Sequence, residues 1–354
     1  MDQPALPAPA ASEERDGQPD RKSPGPAVVT PGSVRWPLRV LWQEPEQVDF
    51  ERRRFRLRPG PARGSLEEAG RAFLTGYNGV LAAGDTSGVA AVVDGLPADR
   101  RGFAAEGAGM GTAVLDLLTL SRGRRTRALL ESLGDRYVHL IHVGVGWAHA
   151  RLRLHPWRGV PVGDPLLRWL AWDGYGFHQA FFHSDRVVGA RHTPRRLAPP
   201  VVRIVDQGLG RALWFHECAD VTGVSLRIAG FPATRQADLW SGIGLAATYA
   251  GGADPDELAW LADAAGPYRE DLAQGSAFAC RAHLQAGHLP PHTAAAAPVL
   301  AGAPAQEAAG WSDAALREIG TGPYDATDYQ RWRGQTRARA AQTRAAQKAA
   351  QVRR

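Results

Sequence analysis

The sequence predicts an all-α protein: a helical-repeat array of glycine-centred helices, toroid-like or curved, admitting one or two short strands. Glycine-centred stretches recur along the chain, as TGYNGVL at Gly76, EGAGMGT at Gly107, VGVGWAH at Gly144, DGYGFHQ at Gly174, QGLGRAL at Gly208, SGIGLAA at Gly242 and QGSAFAC at Gly275. Their spacings of 31, 37, 30, 34, 34 and 33 residues fall in the range of repeat architectures. Most lie inside amphipathic runs, where an interior glycine costs about 0.5–1 kcal/mol against alanine. Such a residue needs a reason, either close helix packing or room for a ligand.

Taken in order, residues 1–33 are rich in Pro, Ala and acids without periodicity and read as a disordered tail. A single helical-repeat domain is expected over 34–333. RGSLEEAGRAFLTGYNGVLAAG shows a capping box, Ser65 with Glu68, and a stop at Gly84. TRALLESLG reads as a short helix. DRYVHLIHVGVGWA opens with β-formers, so a strand or two is expected before Gly144. GDPLLRWLAWDGYGFHQAFFHS starts a helix at Asp-Pro, ATRQADLWSGIGLAATYAGG ends one in Gly-Gly, and DPDELAWLADAAG and PYREDLAQGSAFACRAHLQAG are two more. HLPPHTAAAAPVLAGAPAQEAAG reads as a loose segment. The alanine-rich basic tail 334–354 is expected to be a solvated extension; a membrane-surface or partner arm is the sharper alternative.

Composition narrows the function. The chain has 354 residues, 44% hydrophobic, and a net charge of +6. Residues 331–354 carry eight bases and no acid, and the first 30 residues carry five acids and three bases, so 31–330 is neutral. The body lacks the cationic excess that drives nucleic-acid binding. Two cysteines, Cys218 and Cys280, build neither a disulfide framework nor a thiolate cage, and no signal peptide or membrane span is recognisable. A cytoplasmic location is expected, with membrane contact only through the basic tail.

The residues before each first glycine are Thr75, Glu106, Val143, Asp173, Gln207, Ser241 and Gln274, six of the seven polar. On equivalent helices they form a polar ring at one level, lining a cavity or serving as structural glue. Asp173 lies among Trp169, Leu170, Tyr175 and Phe177, so its carboxylate is expected to be either paired, with Arg211 the candidate, or kept for chemistry. His139, His142 and His149 share a helical face and are conceivable metal ligands, but no HExxH motif occurs; the sequence assigns neither metal nor cofactor. GIGLAA nearly spells a dinucleotide loop, yet no strand precedes it, and related copies recur along the chain.

Six motifs in order, RGFAAEGAGMG, HLIHVGVGWAHARL, LAWDGYGFHQAFF, DQGLGRALWF, ADLWSGIGLAATYAGG and LAQGSAFACRAHLQAG, resemble the domain-of-unknown-function family 1702, carried in biosynthetic gene clusters of enediyne polyketides. The resemblance spans about residues 52–333. It departs at EGAGMG, where the family favours alanines, and in the insertion VVGARHTPRRLAPP. It implies a part in enediyne antibiotic biosynthesis, in maturing a linear polyene from an iterative polyketide synthase, and supplies no reaction. The helices also look like those of lanthionine-cyclase toroids, whose zinc ligands have no counterpart here; that bears on fold alone.

Two functions are therefore expected as alternatives. One is an enzyme or subunit acting on the polyene, with Asp173, Glu106 and Asp238 as acid/base candidates, His142 and His178 as base or ligand, and Arg211 as an anion clamp. Trp147, Tyr175, Phe177, Trp214 and Trp240, with Trp172, would wall the ligand, and Gln207 and Gln274 would orient it. The other is a non-catalytic chaperone that shields the polyene or docks it to a maturation oxygenase.

Overall fold

The computed structural model describes residues 29–83, 86–156, 163–194 and 196–353. The expected disordered tail therefore lies almost wholly outside the described residues, as does the Gly84 stop. Among the described residues there are fourteen α-helices and no strand. They are α1 (Phe50–Arg53), α2 (Pro61–Ala83), α3 (Thr86–Asp94), α4 (Ala98–Leu118), α5 (Arg124–Arg151), α6 (Leu170–Phe182) and α7 (Pro199–His216). There follow α8 (Val221–Ala229), α9 (Ala233–Ala250), α10 (Pro255–Ala264), α11 (Arg269–Gln285), α12 (Pro291–Leu300), α13 (Ala305–Ile319) and α14 (Ala326–Val352). No helix among them is long and apolar enough to cross a membrane.

Local chemistry sets the helix starts. Asp220, Asp254 and Asp325 cap α8, α10 and α14 with side-chain oxygens, and paired prolines open α7. The Asp164 carboxylate accepts the Leu166 and Leu167 N–H groups ahead of α6. The Ser65 capping box is not used, because α2 already begins at Pro61 and puts Ser65 inside the helix. The strand expected before Gly144 is also absent. TRALLESLG and the β-forming run join in one 28-residue helix, α5, kinked at Tyr137 where the β-formers begin. Burial of Ile141, Val143 and Val145 overrides their weak helix propensity.

The seven glycine-bearing helices pack side by side in chain order: α2 on α4, then α5, α6, α7, α9 and α11. The glycines explain how. A methyl group added to Gly107, Gly144, Gly174, Gly208, Gly242 or Gly275 would overlap a carbonyl of the preceding helix; at the last five positions that carbonyl is on Glu106, Val143, Asp173, Gln207 and Ser241. A methyl added to the glycine two residues on, at Gly109, Gly146, Gly176, Gly210 or Gly244, would overlap a carbonyl of the following helix. One glycine of each pair thus faces backward and the other forward, and the approach is close enough for Cα–H···O contacts.

This pairing corrects the sequence register at one end. Gly76 meets the Ala104 carbonyl of the following helix and is a second glycine; the carbonyl facing Gly107 belongs to Phe73. The ring member on α2 is therefore Phe73 and not Thr75, whose hydroxyl bonds the Arg71 carbonyl of its own helix.

Two other expectations change. The loose segment after α11 holds α12 and α13. The basic tail continues α14, which packs on α11 and α13, burying Trp332, Arg333, Thr336 and Ala340. Arg337 pairs with Asp271 and Arg344 with Glu270. Through these contacts the tail packs on the body as far as Arg344, and beyond it the helix is exposed.

Candidate functional site

The ring residues, now Phe73, Glu106, Val143, Asp173, Gln207, Ser241 and Gln274, are all buried. Arg211, one turn beyond Gln207 on α7, joins two of them. Its guanidinium donates to the Asp173 carboxylate and lies 3.6 Å from Glu106. Asp173 also accepts from the Gln207 amide at 2.8 Å, and Glu106 accepts from Trp147 Nε1 at 2.9 Å. The expected Asp173–Arg211 pair is present; Arg211 is engaged by this chain's own carboxylates.

Two carboxylates around one guanidinium leave one negative charge in excess away from water, and one proton neutralises the group. Glu106 takes it. Burial, with the repulsion of Asp173 added, pushes its pKa up to about 7 against the opposing pull of Arg211. Arg211 is held charged: its carboxylate neighbours raise its pKa although burial acts against it.

The group divides two small apolar cavities. One, of about 50 Å³, has Asp173 and Arg211 in its wall with Leu140, Tyr249, Phe278 and Trp332. The other, of about 40 Å³, has Glu106 and Arg211 with Phe73, Trp147, Phe177 and Phe215. Gln207 Oε1 and Gln274 Nε2 are buried without a hydrogen-bond partner among the described residues. Gln274 Oε1 accepts from Ser241 at 2.8 Å and from Arg333 at 3.2 Å.

Not every expected residue belongs here. Asp238 is neutralised by Arg203 and Arg333 and lines neither cavity. Trp214 is core, donating to the Gly251 carbonyl, and Trp240 is buried away from both cavities. His142 Nδ1 faces the Val138 carbonyl of its own helix at 2.7 Å, and His149 Nδ1 faces Val145 in the same way, whereas His139 lines the first cavity. No group of three His, Cys, Asp or Glu side chains among the described residues could hold a metal. Tyr175 and His178 face an outer cleft instead.

Sequence reasoning missed Tyr249, Trp332, Tyr329 and Arg333. The Tyr329 hydroxyl meets the Gln207 amide at 3.4 Å, and burial pushes its phenol pKa well up. Tyr329, Trp332 and Arg333 sit on α14, outside the glycine repeat, so no periodicity marks them.

Serially packed, glycine-paired helices that bury a largely polar set of side chains define an all-α protein. The family model for proteins of unknown function DUF1702 matches residues 33–340, and the chain belongs to that family. No curated protein and no solved structure matches it.

Proposed function

We propose that this protein binds a linear polyene of polyketide origin within the helical array during enediyne biosynthesis and serves as its acid/base partner through Glu106. The observation that carries this is a carboxyl poised near neutrality between two apolar, aromatic-walled cavities. An apolar unsaturated chain has nothing to offer a fixed ion. A carboxyl that is protonated about half the time near pH 7 can donate a proton to one carbon and accept one from another. The resemblance to family 1702 supplies the substrate class. Each cavity holds a few water-sized volumes, so polyene entry requires Arg211 or the surrounding aromatic rings to part. The non-catalytic alternative has one observation in its favour: Asp173 and Asp238 are fully engaged by arginines.

The test is incubation of the full chain with a synthetic linear heptaene, followed by absorbance and Trp147-sensitive fluorescence. Expected are fluorescence quenching on binding and a slow blue shift as conjugation is interrupted, with Glu106→Gln keeping the quenching and losing the shift. Quenching with no shift in either protein supports the chaperone. The absence of quenching refutes both.

A further inference from the structure

A cleft of about 1000 Å³ opens along the outer side of α6, with Phe181 lining both it and the Glu106 cavity. Six arginines line it: Arg52, Arg53 and Arg54 around α1, Arg151 and Arg153 at the end of α5, and Arg186 in the π-helical turn after α6. Its floor is aromatic, with Tyr175, Phe181 and Phe182. One acid, Asp185, is among the lining residues, and Arg54 holds it at 2.6 Å. Arg186 donates to Gln179. Arg52, Arg53, Arg151 and Arg153 have no carboxylate partner among the described residues. Arg53 stacks over the Phe182 ring at 5.0 Å, and its Nε is buried without a hydrogen bond.

His178 forms part of the same wall. It is 3% exposed, and neither ring nitrogen has a hydrogen-bond partner among the described residues. Its ring lies between Trp147, edge-on at 5.6 Å, and Phe182 at 4.7 Å. A buried imidazole with both nitrogens unsatisfied is costly unless something completes it. Clustered cations of one sign are costly in the same way, and an anion relieves both. Four unpaired guanidiniums exceed what one carboxylate neutralises. A phosphate brings nearly two charges and three acceptor oxygens matched to the guanidinium fork.

We propose that this cleft binds an organic phosphate ester, with Arg151 and Arg153 on the phosphate, His178 donating one N–H to it, and the Arg53–Phe182 stack against the ligand's planar or apolar part. The site shares no polar group with the Glu106 centre, although Phe181 lines both and Trp147 touches both His178 and Glu106; the two readings are probed with different ligands, so the failure of one leaves the other standing.

The test uses the full chain at fixed ionic strength in chloride, titrated with inorganic phosphate and with phenyl phosphate by calorimetry, and with phenol as the uncharged control. Phenyl phosphate should bind more tightly than inorganic phosphate, phenol should not bind, and added salt should weaken the interaction. The exposed pair Arg151→Ala/Arg153→Ala should weaken both phosphates about ten-fold or more, the usual consequence of losing charge-assisted hydrogen bonds. His178→Phe, which keeps the ring packing, should weaken both, while Phe182→Leu should weaken phenyl phosphate alone. Arg317→Ala, at an exposed position of α13, should change nothing. Because Arg151 and Arg153 are exposed, their variant keeps the wild-type thermal midpoint. Equal binding by wild type and the double arginine variant, or phosphate no tighter than chloride, overturns the proposal.

Discussion

Glu106 and Asp173 share one guanidinium yet differ in what else holds them. Asp173 has a direct Arg211 bond and the Gln207 amide, whereas Glu106 has Trp147 and a longer 3.6 Å approach. The less tightly held carboxylate takes the proton, which gives stability a definite pH dependence. Below the ordinary value of 4.5 Glu106 is protonated in both folded and unfolded chains, and its full contribution is present. Between 4.5 and about 7 the folded protein keeps a proton that the unfolded chain releases, so stability falls by about 1.4 kcal/mol per pH unit, levelling off above the folded pKa. His139, His178 and His283, which burial pushes down to about 3, 3 and 4, act oppositely, adding stability as pH rises toward 6.5. They are unchanged in Glu106→Gln, so the wild-type minus variant difference in urea denaturation should decline from pH 4.5 to 7 and then flatten. Asp173→Asn removes the repelling charge and should shift that decline to lower pH. A flat difference would mean that Glu106 ionises like an ordinary surface carboxylate.

At the level of the helix, the glycine pairs decide which substitutions the fold tolerates. A methyl on Gly208 would overlap the Asp173 carbonyl, a backbone atom that moves only if α6 and α7 separate. Gly208→Ala should therefore cost more than about 3 kcal/mol, at or beyond the upper end of ordinary overpacking. Gly310, inside α13, has nothing within 4 Å of its added methyl, so Gly310→Ala should stabilise by about 0.5–1 kcal/mol. Denaturation midpoints moving the same way in both variants would sink the close-approach explanation. The same pairs show what was legible in the sequence. Five pairs pointed through their spacing either to serial close packing or to room for a ligand, and the neighbouring carbonyls within reach of an added methyl decide for packing. The register at α2 was not legible. A terminal helix has one neighbour in the array and needs one glycine, and Gly76 alone does not say whether it faces forward or backward. The β-forming run of α5 misled for a related reason: propensity is local, and the burial that overrides it comes from α4 and α6.

For the molecule as a whole, the C-terminal helix is where composition and structure part most widely. Its sequence is basic and alanine-rich, which describes a solvated arm equally well, and the difference lies in partners distant in sequence. Tyr329 reaches Gln207, Arg333 reaches Asp238 and Gln274, and Trp332 stacks on Phe278 at 4.3 Å, so α14 closes over the end of the array and contributes to the first cavity wall. None of these pairings has a sequence signature, so the surroundings that α14 gives Gln207 and Gln274 were illegible. Removing residues 334–354 leaves those three side chains but strips away Thr336 and Ala340, both fully buried, and the Arg337 and Arg344 ion pairs. Asp271, 7% exposed and already pushed upward by burial, then loses the Arg337 cation that offsets it. Loss of a buried carboxylate's partner is among the larger single effects on stability. The 334–354 deletion should lower the thermal midpoint by several degrees, whereas deletion of 348–354, which retains the Gln347 bond to the Gly302 carbonyl, should leave it within about a degree. Scanning calorimetry on the two truncations separates the cases. If the longer deletion is as neutral as the shorter, α14 beyond Arg333 is the solvated arm that its composition suggests, and its packing contributes nothing to holding the site closed.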